Sequence, residues 1–209
     1  MQTGLGILQP VPLHCGVPGF LQFFGLFNAA VWIGGSVFFS FLGGSVFFSP
    51  EVESITPPPF NGLVAQAMLG RYFTLHILCG IVAVAHLLLE WLYSGGGFPK
   101  RAIAVVCVLL GLALIGDKFI SPKLAGWHQQ KYQIKLKAES EPPVYEKVEY
   151  KEDVVQDAER KFAVWHGVSQ FINLAMMSLL TLRFWRLTRS NGHDSSSTYG
   201  QRKQNLFDK

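Results

Sequence analysis

From Met1 to Pro50 the chain contains no Asp, Glu, Lys or Arg. A water-soluble fold must present charged side chains to solvent, and an uncharged run of that length leaves too little polar surface to do so. The remaining composition points the same way. Of 209 residues, 49% are hydrophobic and only 15% charged, 17 are Phe, and the mean hydropathy is +0.26. An integral membrane protein is expected. The net charge of +4 comes from basic residues scattered among acids or placed at the ends of apolar segments, which excludes a nucleic-acid surface. Cys15, Cys79 and Cys107 have neither CxxC nor Cys/His finger spacing, which argues against a zinc finger or a disulfide framework. The start of the chain lacks the basic region of a cleaved signal peptide, so the first apolar segment is expected to be a retained span.

Four apolar segments approach the roughly 20 residues that cross a bilayer as a helix. They cover 20–48, 72–93, 102–116 and 162–182. Backbone in lipid must satisfy its own hydrogen bonds, so an all-α fold is expected: a four-helix membrane bundle over 20–186. Residues 1–19, with Pro10, Pro12 and Pro18, are expected to lie along the membrane surface or against a neighbour. The third and fourth segments are joined by 117–161, which carries nine basic and nine acidic residues. Helical patterns at Lys123–Leu136 and Asp153–Phe162, reversed at Pro142 and Pro143, predict an extramembrane helical hairpin. From 187 to 209 a flexible polar tail is expected. The short basic flanks Lys100, Arg101, Arg183, Arg186 and Arg189 put both termini on the cytoplasmic side of the plasma (inner) membrane.

The first segment contains a direct repeat: Gly34 to Ser40 reads Gly-Gly-Ser-Val-Phe-Phe-Ser and recurs from Gly43 to Ser49. Nine residues turn an ideal helix through about 180°, so the copies are expected on opposite faces. Gly34, Ser36, Ser40, Gly43 and Gly44 suit close helix packing through small residues. In the second segment His76, Cys79, Ala83, His86 and Glu90 fall within about 80° of one another and predict one inward polar stripe, with Glu90 near the cytoplasmic end beside basic partners. In the fourth, His166, Gln170 and Asn173 share a face with Ser169 close by. His76 and His166 each lie four residues inside their spans, at similar expected depth. Two chemistries are open to them: ligation of haem b or a metal, or interhelical hydrogen bonding. Met176 and Met177 face different directions and make no copper relay. No nucleophile elbow, phosphate loop, dinucleotide fingerprint or HExxH helix is present, which favours a non-enzymatic protein.

The stretch Phe162-Ala-Val-Trp165-His166-Gly167-Val-Ser169-Gln-Phe-Ile-Asn173-Leu174 resembles the aromatic-His-Gly-x-Ser-x-x-x-Asn-Leu pattern of the transmembrane protein 205 family and its bacterial relatives with domain of unknown function 4149. Gly62-Leu-Val64 leading to Tyr72-Phe73, and Phe119-Ile120 before Pro122, are similar too. The resemblance implies four membrane helices with a polar loop before the last. It implies a loose association with metal or drug resistance or transport, and a distant similarity to copper-resistance D and haem-binding membrane families. His166, Ser169 and Asn173 are the positions that match. The first helix here has no histidine, whereas those distant relatives place a ligand there. The leading expectation is an accessory or scaffolding subunit that packs against a membrane-protein partner or its own copies within the lipid bilayer. Haem or metal binding through His76 and His166 is the alternative.

Overall fold

The computed structural model describes residues 17–95, 97–137 and 144–207, with side chains given except at 17, 18, 94 and 190–207. The expected N-terminal segment lies almost wholly outside the described residues. The first helix is α1 (Val17–Val37), followed by a π-helical segment (Phe38–Gly43) and the short α2 (Gly44–Phe47). The chain then turns into α3 (Pro50–Ile55). Ser49 caps it by accepting from the Val52 amide at 3.4 Å, and Pro50 fills the first helical position, where its missing N–H costs nothing.

Helix α4 (Phe60–Ser94) begins a dozen residues before the apolar run that marks it in the sequence, with Asn61 buried and Phe60, Val64 and Met68 exposed along its first turns. It stops at Gly95, whose φ of 63° is left-handed, the conformation glycine adopts at helix ends without strain. Helix α5 (Lys100–Ile115) does not end at Gly116. A π-helical segment (Gly116–Ile120) carries it into α6 (Ser121–Lys131), so Lys100–Lys131 is one helical rod. Pro122 follows the wide π turn, where the helical ladder is already interrupted and a missing donor costs least.

The expected helical hairpin is corrected in its centre. After α6, Gln133 takes a φ of 54° and the chain reverses into β1 (Ile134–Lys137), which pairs antiparallel with β2 (Val144–Lys147). Ile-Lys-Leu-Lys alternates with period two, which suits a strand. The register sets Lys135 opposite Glu146 and Leu136 opposite Tyr145, favourable cross-strand pairs. Helix α7 (Glu152–Phe207) follows, and its backbone continues past Arg189 into the Ser- and Gly-containing sequence. That stretch contains no proline to break it.

One core joins four of the helices. Trp32 of α1, Cys79, Ala83 and Leu87 of α4, Val106, Leu109 and Ala113 of α5, and Met176 and Leu180 of α7 are buried together. Three stretches are long and apolar enough to cross a membrane: Gly19–Phe47, Phe60–Tyr93 and Lys100–Lys131. The outward faces keep large apolar side chains such as Phe23, Phe27, Leu78, Ile81 and Val108 exposed, as lipid contact requires.

Candidate functional site

The inward stripe of α4 meets α1 through specific hydrogen bonds. The Trp32 indole N–H, which can only donate, donates to His76 Nδ1 at 2.8 Å. The neutral ring therefore carries its proton on Nε2, which faces the Ser36 hydroxyl at 3.3 Å, while that hydroxyl donates to the Trp32 carbonyl at 2.7 Å. His76 is fully buried and packed edge-on against Trp32 and Tyr72. Nearly three turns further on, His86 Nε2 donates to the Leu21 carbonyl at 2.7 Å, leaving a buried Nδ1 without a partner. Asn28 donates to the Cys79 carbonyl at 3.0 Å. Glu90 is half-buried, and Arg183 of α7 is buried with its Nε unpaired.

Asn173 makes the corresponding junction for α7. Its side-chain oxygen accepts from the Tyr72 hydroxyl, and its amide donates to Ser40 of the π segment at 2.7 Å. This pairing fixes the register of α4 against α7, which run in the same direction. His166, seven residues before Asn173, is thereby level with about residue 65 of α4, roughly 16 Å along the bundle from His76 at 1.5 Å per residue. The expectation of equal depth is corrected. One iron cannot take both imidazoles across such a gap, and both nitrogens of His76 already face protein partners. His166 accepts from Gln170 at 2.9 Å, and Ser169 donates to the His166 carbonyl at 2.7 Å. The residues do not fit a haem held between these two histidines.

The small residues of the first helix also act differently from their sequence reading. Ser36 and Ser40 meet other helices through hydrogen bonds. Gly34 is exposed with open space where a side chain would be, and Gly43 and Gly44 touch only their own helical segment. The close approaches belong to other glycines. A methyl on Gly25 would overlap the His86 ring, one on Gly35 would overlap Leu75, one on Gly80 would overlap Leu110 and one on Gly116 would overlap Phe73.

Between the π segment, α2, α4, α6 and α7 lies a cavity of about 690 Å³. Both copies of the repeat line it: Phe39 and Ser40 from the first, Gly44, Ser45, Phe47 and Phe48 from the second. The opposite-faces expectation fails because π-helical turns hold more residues than α turns, which delays the rotation of the second copy. Opposite stand Asn61, Gln66, Tyr72 and Phe73 of α4, with Leu124, His128 and Tyr132 on or next to α6 and Phe162, His166, Gln170 and Asn173 of α7. Sequence reasoning did not single out His128. It is 4% exposed, and its Nδ1 has no hydrogen-bond partner. The signal was available in its spacing: Leu124, His128 and Lys131 follow the three- and four-residue steps of one helix face.

Apolar helices of this length, enclosing a polar seam and a cavity, define a helical membrane protein. A model of one family, the domain of unknown function DUF4149, matches residues 27–133, just over half of the chain, and the chain belongs to that family. The matched stretch runs from α1 through α6 and ends before α7, so the Trp165-His166-Gly167 motif lies outside it. No curated protein and no solved structure matches the chain.

Proposed function

We propose that the protein is a four-span membrane protein that holds a small amphipathic molecule in the cavity at the non-cytoplasmic end of its bundle. The cavity carries this reading. Its volume of about 690 Å³ falls inside the range of small-molecule sites, and its apolar wall with a few converging polar groups is their usual chemistry. Support for a fourth span in α7 comes from its aromatic and basic residues. Trp165 and Trp185 are twenty residues apart, about 30 Å of helix, which matches the hydrocarbon thickness, and Arg183, Arg186 and Arg189 cluster at one end. Its polar face of His166, Gln170 and Asn173 lowers its hydropathy while turning toward the cavity. By the same positive flanks, both termini belong on the cytoplasmic side of the plasma membrane. Native mass spectrometry of the gently extracted protein tests the reading. A bound species of a few hundred daltons is expected, and it should be lost when Ala65→Trp or Ala65→Leu fills the cavity. A ligand-free mass in the unaltered protein, or a bound species indifferent to both substitutions, refutes it.

A second reading, an accessory subunit docking through α1, is favoured by one observation. Only 11% of the apolar window in Gly19–Phe47 is buried, against 44% in Phe60–Tyr93. Phe20, Phe23 and Phe27 present an aromatic face that either lipid or another helix can cover. A nanodisc mass equal to one chain, with no co-purifying protein or second copy, counts against it.

A further inference from the structure

Resting on the cavity reading above, we infer that the molecule held is a phospholipid of the non-cytoplasmic leaflet, one acyl chain of which enters the cavity sideways from the bilayer between α2 and α7. The polar side chains on the wall offer a guest little. Ser45 donates to the Phe41 and Leu42 carbonyls at 2.7 and 3.0 Å, Asn61 to Glu53 at 3.5 Å, and Ser169 to the His166 carbonyl at 2.7 Å. Tyr72, Asn173 and Ser40 are bonded to one another, and Gln170 is bonded to His166. A guest rich in polar groups would give up its water here with few partners in exchange, a cost that hydrocarbon does not carry. Among the described residues the only charged one on the wall is Glu53, exposed at the rim.

The cavity also has the length of a chain. Its wall on α4 runs from Asn61 to Phe73, about 18 Å at 1.5 Å per residue, and one leaflet holds its chains in about 15 Å, half the hydrocarbon thickness. Hydrocarbon has a way in. Helix α1 packs against α7, and the last tie between them is the bond of Asn173 to Ser40; beyond it α2 packs on α4 and α3. His166 and Gln170 line the cavity at this level and are exposed as well, which marks a side opening between α2 and α7. The neighbouring Val46 and Phe48, and Val168 and Phe171 of α7, are exposed apolar side chains, so the opening faces lipid. An unfilled apolar space forfeits the dispersion contacts of its walls, and the chains beside this mouth are the supply at hand. The headgroup stays at the Glu53 rim, and the chain runs inward toward Leu69, Ile172 and Phe73.

The full chain is reconstituted in nanodiscs of phosphatidylcholine carrying a diazirine at the end of one acyl chain and irradiated, and the adducts are located by peptide mass spectrometry. Adducts on the half-buried Leu69 and Ile172 are expected beside those on the exposed Phe171 and Leu174. Ala65→Trp, or Ala65→Leu should the first not fold, is expected to remove the inner adducts and keep the outer ones. Should neither variant fold, the presence or absence of inner adducts in the unaltered protein decides. Inner adducts indifferent to both substitutions overturn the proposal. Labelling of Phe171 and Leu174 alone, while native mass spectrometry still finds a guest that Ala65→Trp displaces, overturns the chain assignment and leaves the cavity occupied. Absence of both inner adducts and a displaceable guest overturns the cavity reading itself.

Discussion

The Tyr72 hydroxyl donates to the side-chain oxygen of Asn173, and the Asn173 amide donates in turn to Ser40, so one side chain ties three helical segments whose residues are up to 133 positions apart. Hydrogen bonds of this kind inside membrane bundles couple by about 0.6 to 2 kcal/mol, less than geometry alone suggests, because the separated helices also find partners. A double-mutant cycle on Tyr72→Phe and Asn173→Leu, read by unfolding in mixed micelles, should give a coupling energy in that range. Strict additivity of the two losses would mean that the tie is not made.

Two glycines of α1 should respond in opposite ways to alanine. Gly25→Ala drives a methyl into the His86 ring and is expected to destabilise by about 1 to 3 kcal/mol, as overpacking does. Gly34→Ala meets open space and should be neutral or stabilise by up to about 1 kcal/mol through helix propensity. Thermal unfolding of the two variants side by side decides the matter, and equal shifts would contradict the packing described.

The Trp32 indole and His76 form a donor and acceptor pair sealed from solvent. Trp32→Phe leaves His76 Nδ1 without its donor, a loss of about 1 to 3 kcal/mol of stability. His76→Ala should lower stability without altering the visible absorption of the purified protein. A Soret band that vanishes in His76→Ala would show that this ring is a ligand after all.

The cysteine-free protein gives the orientation directly. With Cys15, Cys79 and Cys107 replaced, Glu149→Cys next to β2 should react with a membrane-impermeant maleimide in intact cells, whereas Gly97→Cys between α4 and α5 should react only after permeabilisation. The reverse pattern inverts the proposed topology.

Three of the four expected spans were legible because lipid imposes one requirement on every residue of a segment, and a run such as Leu87-Leu-Leu89 reports it without reference to the rest of the fold. The β-hairpin was less legible. Lys123 to Lys131 does follow helical spacing, and the turn depends on Gln133 entering a left-handed conformation that glutamine does not advertise. The inward stripe of α4 followed from angle arithmetic alone, but its partners did not, since nothing local pairs Trp32 with His76 or Tyr72 with Asn173. Depth was misjudged for a related reason: counting from the first apolar residue ignores the earlier turns by which α4 begins at Phe60 and α7 at Glu152. His128 was missed because a histidine in a charged stretch looks hydrated until the neighbouring helices are in place.

The doubled Gly-Gly-Ser-Val-Phe-Phe-Ser unit and its π segment have a consequence for how such a chamber is walled. Nine residues amount to about 13 Å of helix, and the second copy contributes Gly44, Ser45, Phe47 and Phe48 to the wall. Excising residues 41–49 would join Ser40 to Pro50 and leave α4, α6 and α7 untouched. The second copy thus adds its own residues to one wall of the chamber, while the residues that α4, α6 and α7 contribute are encoded elsewhere in the chain.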